Sequence, residues 1–302
     1  MPASREVSIV DPRDDEMKRR LVTFDWALKR LLRSKANFEV LEGFLGVLLG
    51  NEVSILEVLE SETNKDTARA KSARVDLKVR LTGGEVVIVE VQASREADFL
   101  QRILFTASRA VTEHIEEGQG YREIPRVISV NILYFHLGLG TDYVYRGTTI
   151  FRGLHDGSVL ELDPGQKRTG RRERTEAVFP EYYLLKIDEF DSMARDPLDQ
   201  WIYFLKHQRI PDEFDARGLR KARMVLDVLA LSEAERWDYE DFIKAERIRK
   251  GVEETIEIDR RSPARRGARR GARRAVRKGA RKAGGSWPAG SRECWTMRPS
   301  LA

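Results

Sequence analysis

Hydrophobic periodicity is absent from the first 20 residues, which mix charged and small side chains and predict a flexible leader over 1–20. The pattern starts at residue 24. Phe24, Ala27, Leu28, Leu31 and Leu32 recur at helical spacing and predict a helix over 23–32. Val40, Leu41, Phe44, Leu45, Leu48 and Leu49 form the stripe of a second helix, with Asn37 as its expected N-cap and Gly50-Asn51 as its stop. The period then changes to that of strands, expected at 53–59, 72–81 and 85–92. A polar loop is expected at 60–71 and a hairpin turn at Thr82-Gly83-Gly84. Ser94 is the expected cap of a long helix reaching residue 117, with an inner face of Phe99, Leu100, Ile103, Leu104, Ala107, Val111 and Ile115. The run VISVNILYF at 127–135 is almost wholly apolar, as a strand covered on both faces should be.

Helix, helix, three strands, helix, strand is the order of a mixed α/β sheet. Weaker strand patterns follow at 148–152, 158–162 and 182–187, and the apolar-free stretch 164–176 predicts a loop. Helical patterns at 197–208, 219–229 and 232–249 predict a C-terminal helical appendage. The expected division is a leader (1–20), an α/β domain (21–190), a helical region (191–258) and a basic tail (259–302). Trp26, Trp201 and Trp237 fall on helical patterns and are expected in the core rather than as platforms for bases.

Charge changes the picture only when it is divided by region. The chain carries 54 Lys and Arg against 49 Asp and Glu, but residues 260–302 hold 14 of the bases and one acid. The preceding 259 residues are therefore acidic, and the pI of 9.2 belongs to the tail. One cysteine excludes a disulfide framework, and four scattered histidines have no zinc-ligand spacing. No apolar run approaches the length of a membrane span, and the start has no apolar signal core, so a reducing compartment, the cytoplasm, is expected.

The chemistry concentrates in VDLKVRLTGGEVVIVEVQ, residues 75–92. Alternation along strands puts Asp76, Lys78 and Arg80 on one face, and Ile88, Glu90 and Gln92 on one face of the next strand. A three-residue turn closing at Leu81 and Glu85 would place Asp76 opposite Glu90, with Gly84 free to take a positive φ. A two-residue turn would part the two acids by face. Carboxylates inside an apolar sheet need a compensating cation. Lys78 or Arg80 would serve in a structural ion pair; a hard divalent ion such as magnesium would serve in a functional site.

An Asp on one strand, Glu-x-Gln on the next, then a helix and a buried strand resembles the PD-(D/E)XK nuclease superfamily. More narrowly the chain resembles the recombination-promoting nuclease (Rpn-like) and transposase family. The features that carry the likeness are FDWALKRLL at 24–32, VDLKV at 75–79, VEVQ at 89–92, FLQRILFTASRAV at 99–111, YREIPRVISVNILYF at 121–135 and FPEYYLLKID at 179–188. They span roughly residues 20–250. The resemblance implies a restriction-endonuclease-like fold, DNA as the partner, and Mg2+ (with Mn2+ as the alternative) held by Asp76 and Glu90. It also implies that the residue two places on, usually Lys, positions the attacking water. Here that residue is Gln92, which can orient water but cannot titrate. Lys29, Lys78 and Arg102 are the auxiliary cations that could supply the missing charge, and KRTGRRER at 167–174 is a candidate phosphate clamp. The function implied is a Mg-dependent DNA endonuclease; the rival is an inactive DNA- or protein-interaction module on a nuclease scaffold. A homodimer is left open. For the tail, RRGARRGARR at 265–274 is what acidic Glu-Glu-Gly-Arg repeats would encode if read one base later. A disordered basic tail, arising as a frameshift product, is therefore expected.

Overall fold

The computed structural model of the chain describes residues 21–59, 75–115, 117–170 and 174–261. The expected leader, the 60–71 loop, the first residues of the expected 72–81 strand and the basic tail from residue 262 on lie outside the described residues.

The first helix, α1, runs Phe24–Arg30 and is capped by Thr23, whose hydroxyl accepts from the Trp26 amide at 3.5 Å. It ends earlier than the stripe suggests because the Leu31 and Leu32 amides both turn to the Ala27 carbonyl, at 2.9 Å each. Helix α2 is Phe38–Leu49. Asn37 precedes it but makes no capping bond; its amide donates to the Leu31 carbonyl at 2.9 Å and ties α2 to the end of α1. Gly50, at φ +71°, closes α2 in the left-handed conformation that glycine adopts without strain.

Six strands follow: β1 (Ile55–Leu59), β2 (Leu77–Leu81), β3 (Val86–Gln92), β4 (Val127–Leu133), β5 (Val144–Gly147) and β6 (Glu181–Lys186). They form one sheet in the order β1-β2-β3-β4-β6-β5. Strands β3, β4 and β6 are parallel, whereas the pairs β1–β2, β2–β3 and β5–β6 are antiparallel. This is the mixed α/β sheet that the order of elements predicts, and it is consistent with the restriction-endonuclease-like fold that the resemblance implies. Of the three later strand expectations, only the last becomes a full strand, β6; at 148–162 a single Arg152–Val159 bridge forms.

Helix α3 (Phe99–Thr112) crosses from β3 to β4 and covers one sheet face. Ala107 and Ala110 pack on Val86, Ile88 and Val127, and Phe99 and Ile103 pack on Leu133. The opposite face, including Leu77, Val79, Val87, Val89 and Val130, is fully buried as well. Ser94 is not the cap of α3, which begins five residues later after Asp98. Its inner face also differs from expectation. Thr106 and Ala110 are buried, whereas Leu100 and Leu104 are 52% and 56% exposed. The Phe99–Ile103–Ala107–Ala110 line faces the sheet and turns those two leucines to the flank.

Helix α4 (Pro164–Gly170) occupies part of the expected loop. Asp163 accepts from the Gly165 and Gln166 amides, and Gln166 accepts back from the Asp163 amide at 3.0 Å. That reciprocal cap, with Pro at the first position, supports a helix that has no apolar stripe.

The last helices are α5 (Pro197–His207), α6 (Leu219–Val225) and α7 (Glu233–Arg261). Phe24, Phe44, Trp201 and Phe204 join α1, α2 and α5 through ring centroids 5.4–6.4 Å apart. A side chain at Gly43 would strike the Arg217 carbonyl at 2.5 Å, so α2 meets the segment before α6 backbone to backbone. Helices α5 and α6 are thus built into the α/β unit, and the chain divides into compact units at 239/240. Trp26 and Trp201 are buried, but Trp237 is 61% exposed, contrary to expectation.

Candidate active site

The β2–β3 hairpin closes as the three-residue turn requires. The Leu81 amide donates to the Glu85 carbonyl at 2.8 Å, the Gly84 amide to the Leu81 carbonyl at 2.9 Å, and Gly84 sits at φ +89°. Pairing then runs from Arg80–Val86 to Leu77–Val89 and stops. Asp76 stands one residue before the ladder, so the regular Asp76–Glu90 strand pair expected from the sequence is not made. Continuing the antiparallel pattern would aim the Val91 amide at the Val75 carbonyl. Instead the Asp76 carboxylate takes that amide, Oδ2 accepting at 2.7 Å. Asp76 is thus pinned to the main chain of β3 beside Glu90.

Two cations reach Asp76 from the end of α1. Lys29 Nζ lies 3.4 Å from Asp76 Oδ1 and 2.7 Å from Asp25, and an Arg33 guanidinium nitrogen donates to the Asp76 carbonyl at 2.8 Å. Burial works against the Lys29 ammonium, but Asp25 and Asp76 outweigh it and hold its pKa above the ordinary lysine value.

Glu90 is 3% exposed. Its carboxylate pairs with Arg102, which reaches over from α3. The other terminal nitrogen of Arg102 lies 2.6 Å from Glu96 and 3.5 Å from the Gln92 side-chain oxygen. Burial pushes the Glu90 carboxyl up to about 7; Arg102 opposes the rise, and the charges of Asp76 and Glu96 add to it. The Arg102 pKa is itself raised: burial opposes this, and Glu90 and Glu96 override it. Gln92 donates its amide to the Ser94 carbonyl and to Glu96, both at 3.1 Å.

The structure therefore brings together Asp76, Glu90, Gln92, Lys29 and Arg102. It directs Lys78 elsewhere: Lys78 is buried and pairs with Glu113 at the end of α3, at 3.0 Å. Arg80 pairs with Glu57 at 2.9 Å, so neither strand cation neutralises the two acids. Of the basic stretch at 167–174, residues 171–173 lie outside the described residues; Lys167 and Arg168 are on α4, and the following strand β6 starts at Glu181, which aligns with Ile128 at the beginning of β4. Glu90 instead aligns with Asn131 further along β4, toward the other end of the parallel strands. Glu96 and Arg33 belong to the cluster but were not candidates, because both lie in connecting segments without periodicity.

Residues 22–148 match the model of the PD-(D/E)XK nuclease family transposases. The matched segment runs from α1 through β5 and includes Lys29, Asp76, Lys78, Glu90, Gln92 and Arg102, but not the basic stretch at 167–174. The comparisons with curated proteins and with solved structures found no match. The family match supports a nuclease- or transposase-like function, and nucleases of this kind typically use divalent metals. No described helix is long and apolar enough to cross a membrane. Among the described residues no group of three or more His, Cys, Asp or Glu side chains is arranged to hold a metal. A cation here would thus rest on the two carboxylates Asp76 and Glu90. Those oxygens, with water completing the shell, fit the habit of magnesium, and the absence of sulfur and imidazole donors in this pair disfavours softer ions.

Proposed function

We propose that the chain is a Mg-dependent DNA endonuclease that hydrolyses phosphodiester bonds, with Asp76 and Glu90 holding the metal and Gln92 orienting water. The observation that carries this reading is the fixing of Asp76 to the β3 backbone beside the buried Glu90, inside a segment matching a nuclease family. Magnesium bound to such carboxylates polarises a phosphoryl oxygen and lowers the pKa of bound water.

The rest falls to the side chains. Glu90, buried and repelled by Asp76 and Glu96, presents a carboxylate whose charge is costly without a cation beside it. Lys29 is the charge that compensates for the amide at Gln92. Its ammonium lies against Asp76 on a side chain 43% exposed, able to meet both the site and a phosphate. Asp25 and Asp76 keep Lys29 protonated, so it acts as a fixed positive charge. Gln92 can accept through its oxygen and donate through its amide, and it steers water without exchanging a proton.

The rival reading, a non-cleaving interaction module, draws support from the same Gln92, whose amide is occupied by Ser94 and Glu96. Nicking of supercoiled plasmid in Mg2+ and Mn2+ separates the two. Wild type should nick, Asp76→Ala should not, and Gln92→Lys should retain or raise activity. Equal inactivity of all three in both metals would leave the interaction module as the reading.

A further inference from the structure

We propose that Arg102 is a stand-in cation: its guanidinium occupies Glu90 in the unloaded protein and exchanges for the divalent ion, which frees it to bind the substrate phosphate. This rests on the metal-site reading above and adds to it a coupling between cation loading and substrate grip.

The anchoring of Arg102 is asymmetric. Its backbone is fixed, because α3 is held to the sheet by Phe99, Ile103 and Ala107, and the Thr106 hydroxyl donates to the Arg102 carbonyl at 3.0 Å. Its side chain is long and 34% exposed, so the guanidinium has solvent to move into. It makes no fork on a single carboxylate. One terminal nitrogen contacts Glu90 while the other contacts Glu96, 2.6 Å away. Arginine grips most firmly when both nitrogens meet one anion. Here they are split between two acids.

Asp76 and Glu90 are held differently. Asp76 is bound by the Val91 amide, which a metal would leave in place. Glu90 is almost fully buried and neutralised by Arg102. A divalent ion on the Glu90 carboxylate and a guanidinium within hydrogen-bond distance of it would repel at short range in a partly buried site. The two cannot share Glu90, so loading displaces Arg102. The displaced fork then matches a phosphodiester, which presents two oxygens at the spacing guanidinium prefers. Glu96, 34% exposed, gives the departing side chain a pivot.

The test reads metal binding and not cleavage. Mn2+ is titrated calorimetrically into the full chain and its Arg102→Gln variant, which should bind Mn2+ about tenfold more tightly because the competing positive charge is gone. In parallel, Mg2+ is titrated into the wild-type chain while the Arg102 Nε–Hε signal is followed by NMR, with Arg102→Lys supplying the assignment. That signal should move in step with Mg2+ binding, a readout that does not depend on the variant folding. Unchanged or weaker Mn2+ affinity in a folded Arg102→Gln, or an Arg102 signal that stays put while Mg2+ binds, overturns the exchange and leaves the metal site standing. Failure of wild type and Arg102→Gln alike to bind either ion overturns both the exchange and the metal reading.

Discussion

Two glutamates in one sheet, Glu90 and Glu181, are almost equally hidden from solvent, at 3% and 2% exposure, although Glu90 lies deeper in the protein. They sit toward opposite ends of the parallel strands. Glu181 is surrounded by donors: Arg126, Arg146 at 2.5 Å and the Tyr183 hydroxyl at 2.8 Å. Burial alone would raise its pKa, but those three partners hold it below the ordinary value. Glu90 has one guanidinium, shared with Glu96, and two neighbouring carboxylates, and its pKa rises to about 7. The same side chain, equally hidden from solvent, is completed in one place and left short of positive charge in the other, deeper one. A carboxylate that the fold itself neutralises is architecture; one that still needs a cation is a site.

The largest effect expected from breaking this contrast is on stability. Glu181→Ala should cost about 3–5 kcal/mol in urea unfolding, since it strands two arginines, one of them largely buried. Glu90→Gln should raise metal-free stability at neutral pH, because it relieves repulsion from Asp76 and Glu96. Nicking should follow the reverse order, lost in Glu90→Gln and retained per folded molecule in Glu181→Ala. Comparable destabilisation by both would dissolve the distinction.

Next in size is a pH dependence. In EDTA the unfolded Glu90 carboxyl releases its proton near 4.5, whereas the folded one keeps it to about 7. Stability must therefore fall as pH rises between those values, by about 3 kcal/mol from this group. In Glu90→Gln that fall should be absent, with the two proteins equal below pH 4.5. Glu181 has the opposite sign: its contribution is present above the unfolded value and drains away as pH falls. Parallel pH profiles for wild type and Glu90→Gln would remove the electrostatic half of the comparison.

Lys29→Met sharpens the contrast at the site itself. Nicking should drop about 10–100-fold, as when a supporting group beside a metal is lost. Thermal unfolding should change far less than nicking, because the half-exposed ammonium can be replaced by water beside Asp25 and Asp76. The smallest expected effect is Lys78→Met. Glu113 keeps Arg109, 3.3 Å away, so nicking should match wild type in the same plasmid assay.

Much of this was legible in the residues. The order of elements through β4 follows from the change of period between 24–49 and 53–92. Thr82-Gly83-Gly84 set the hairpin register, because only a three-residue turn gives Gly84 its positive φ while pairing Leu77 with Val89. Strand periodicity could not show that the ladder stops at Leu77, since that depends on a side chain outcompeting a carbonyl for the Val91 amide. It was equally silent on which cation faces which acid. Lys78 shares a face with Glu90 by parity, yet Glu113, 35 positions on, claims it. Arg102 sits in the sequence as one of many bases, and only the α3 crossover carries it to Glu90. The face of α3 was misjudged at Leu100 and Leu104 because two apolar stripes of similar weight run along that helix.

The main-chain clamp on Asp76 has a consequence for how this segment can drift. The amide of residue 91 is present whatever its side chain, proline excepted, so the distance between the two acids is indifferent to most substitutions along β3. Length is another matter. Losing or gaining a single residue between 77 and 89 would slip the register by one and turn Glu90 to the far side of the sheet. Related chains should therefore vary freely in spelling across the hairpin and hardly at all in its count.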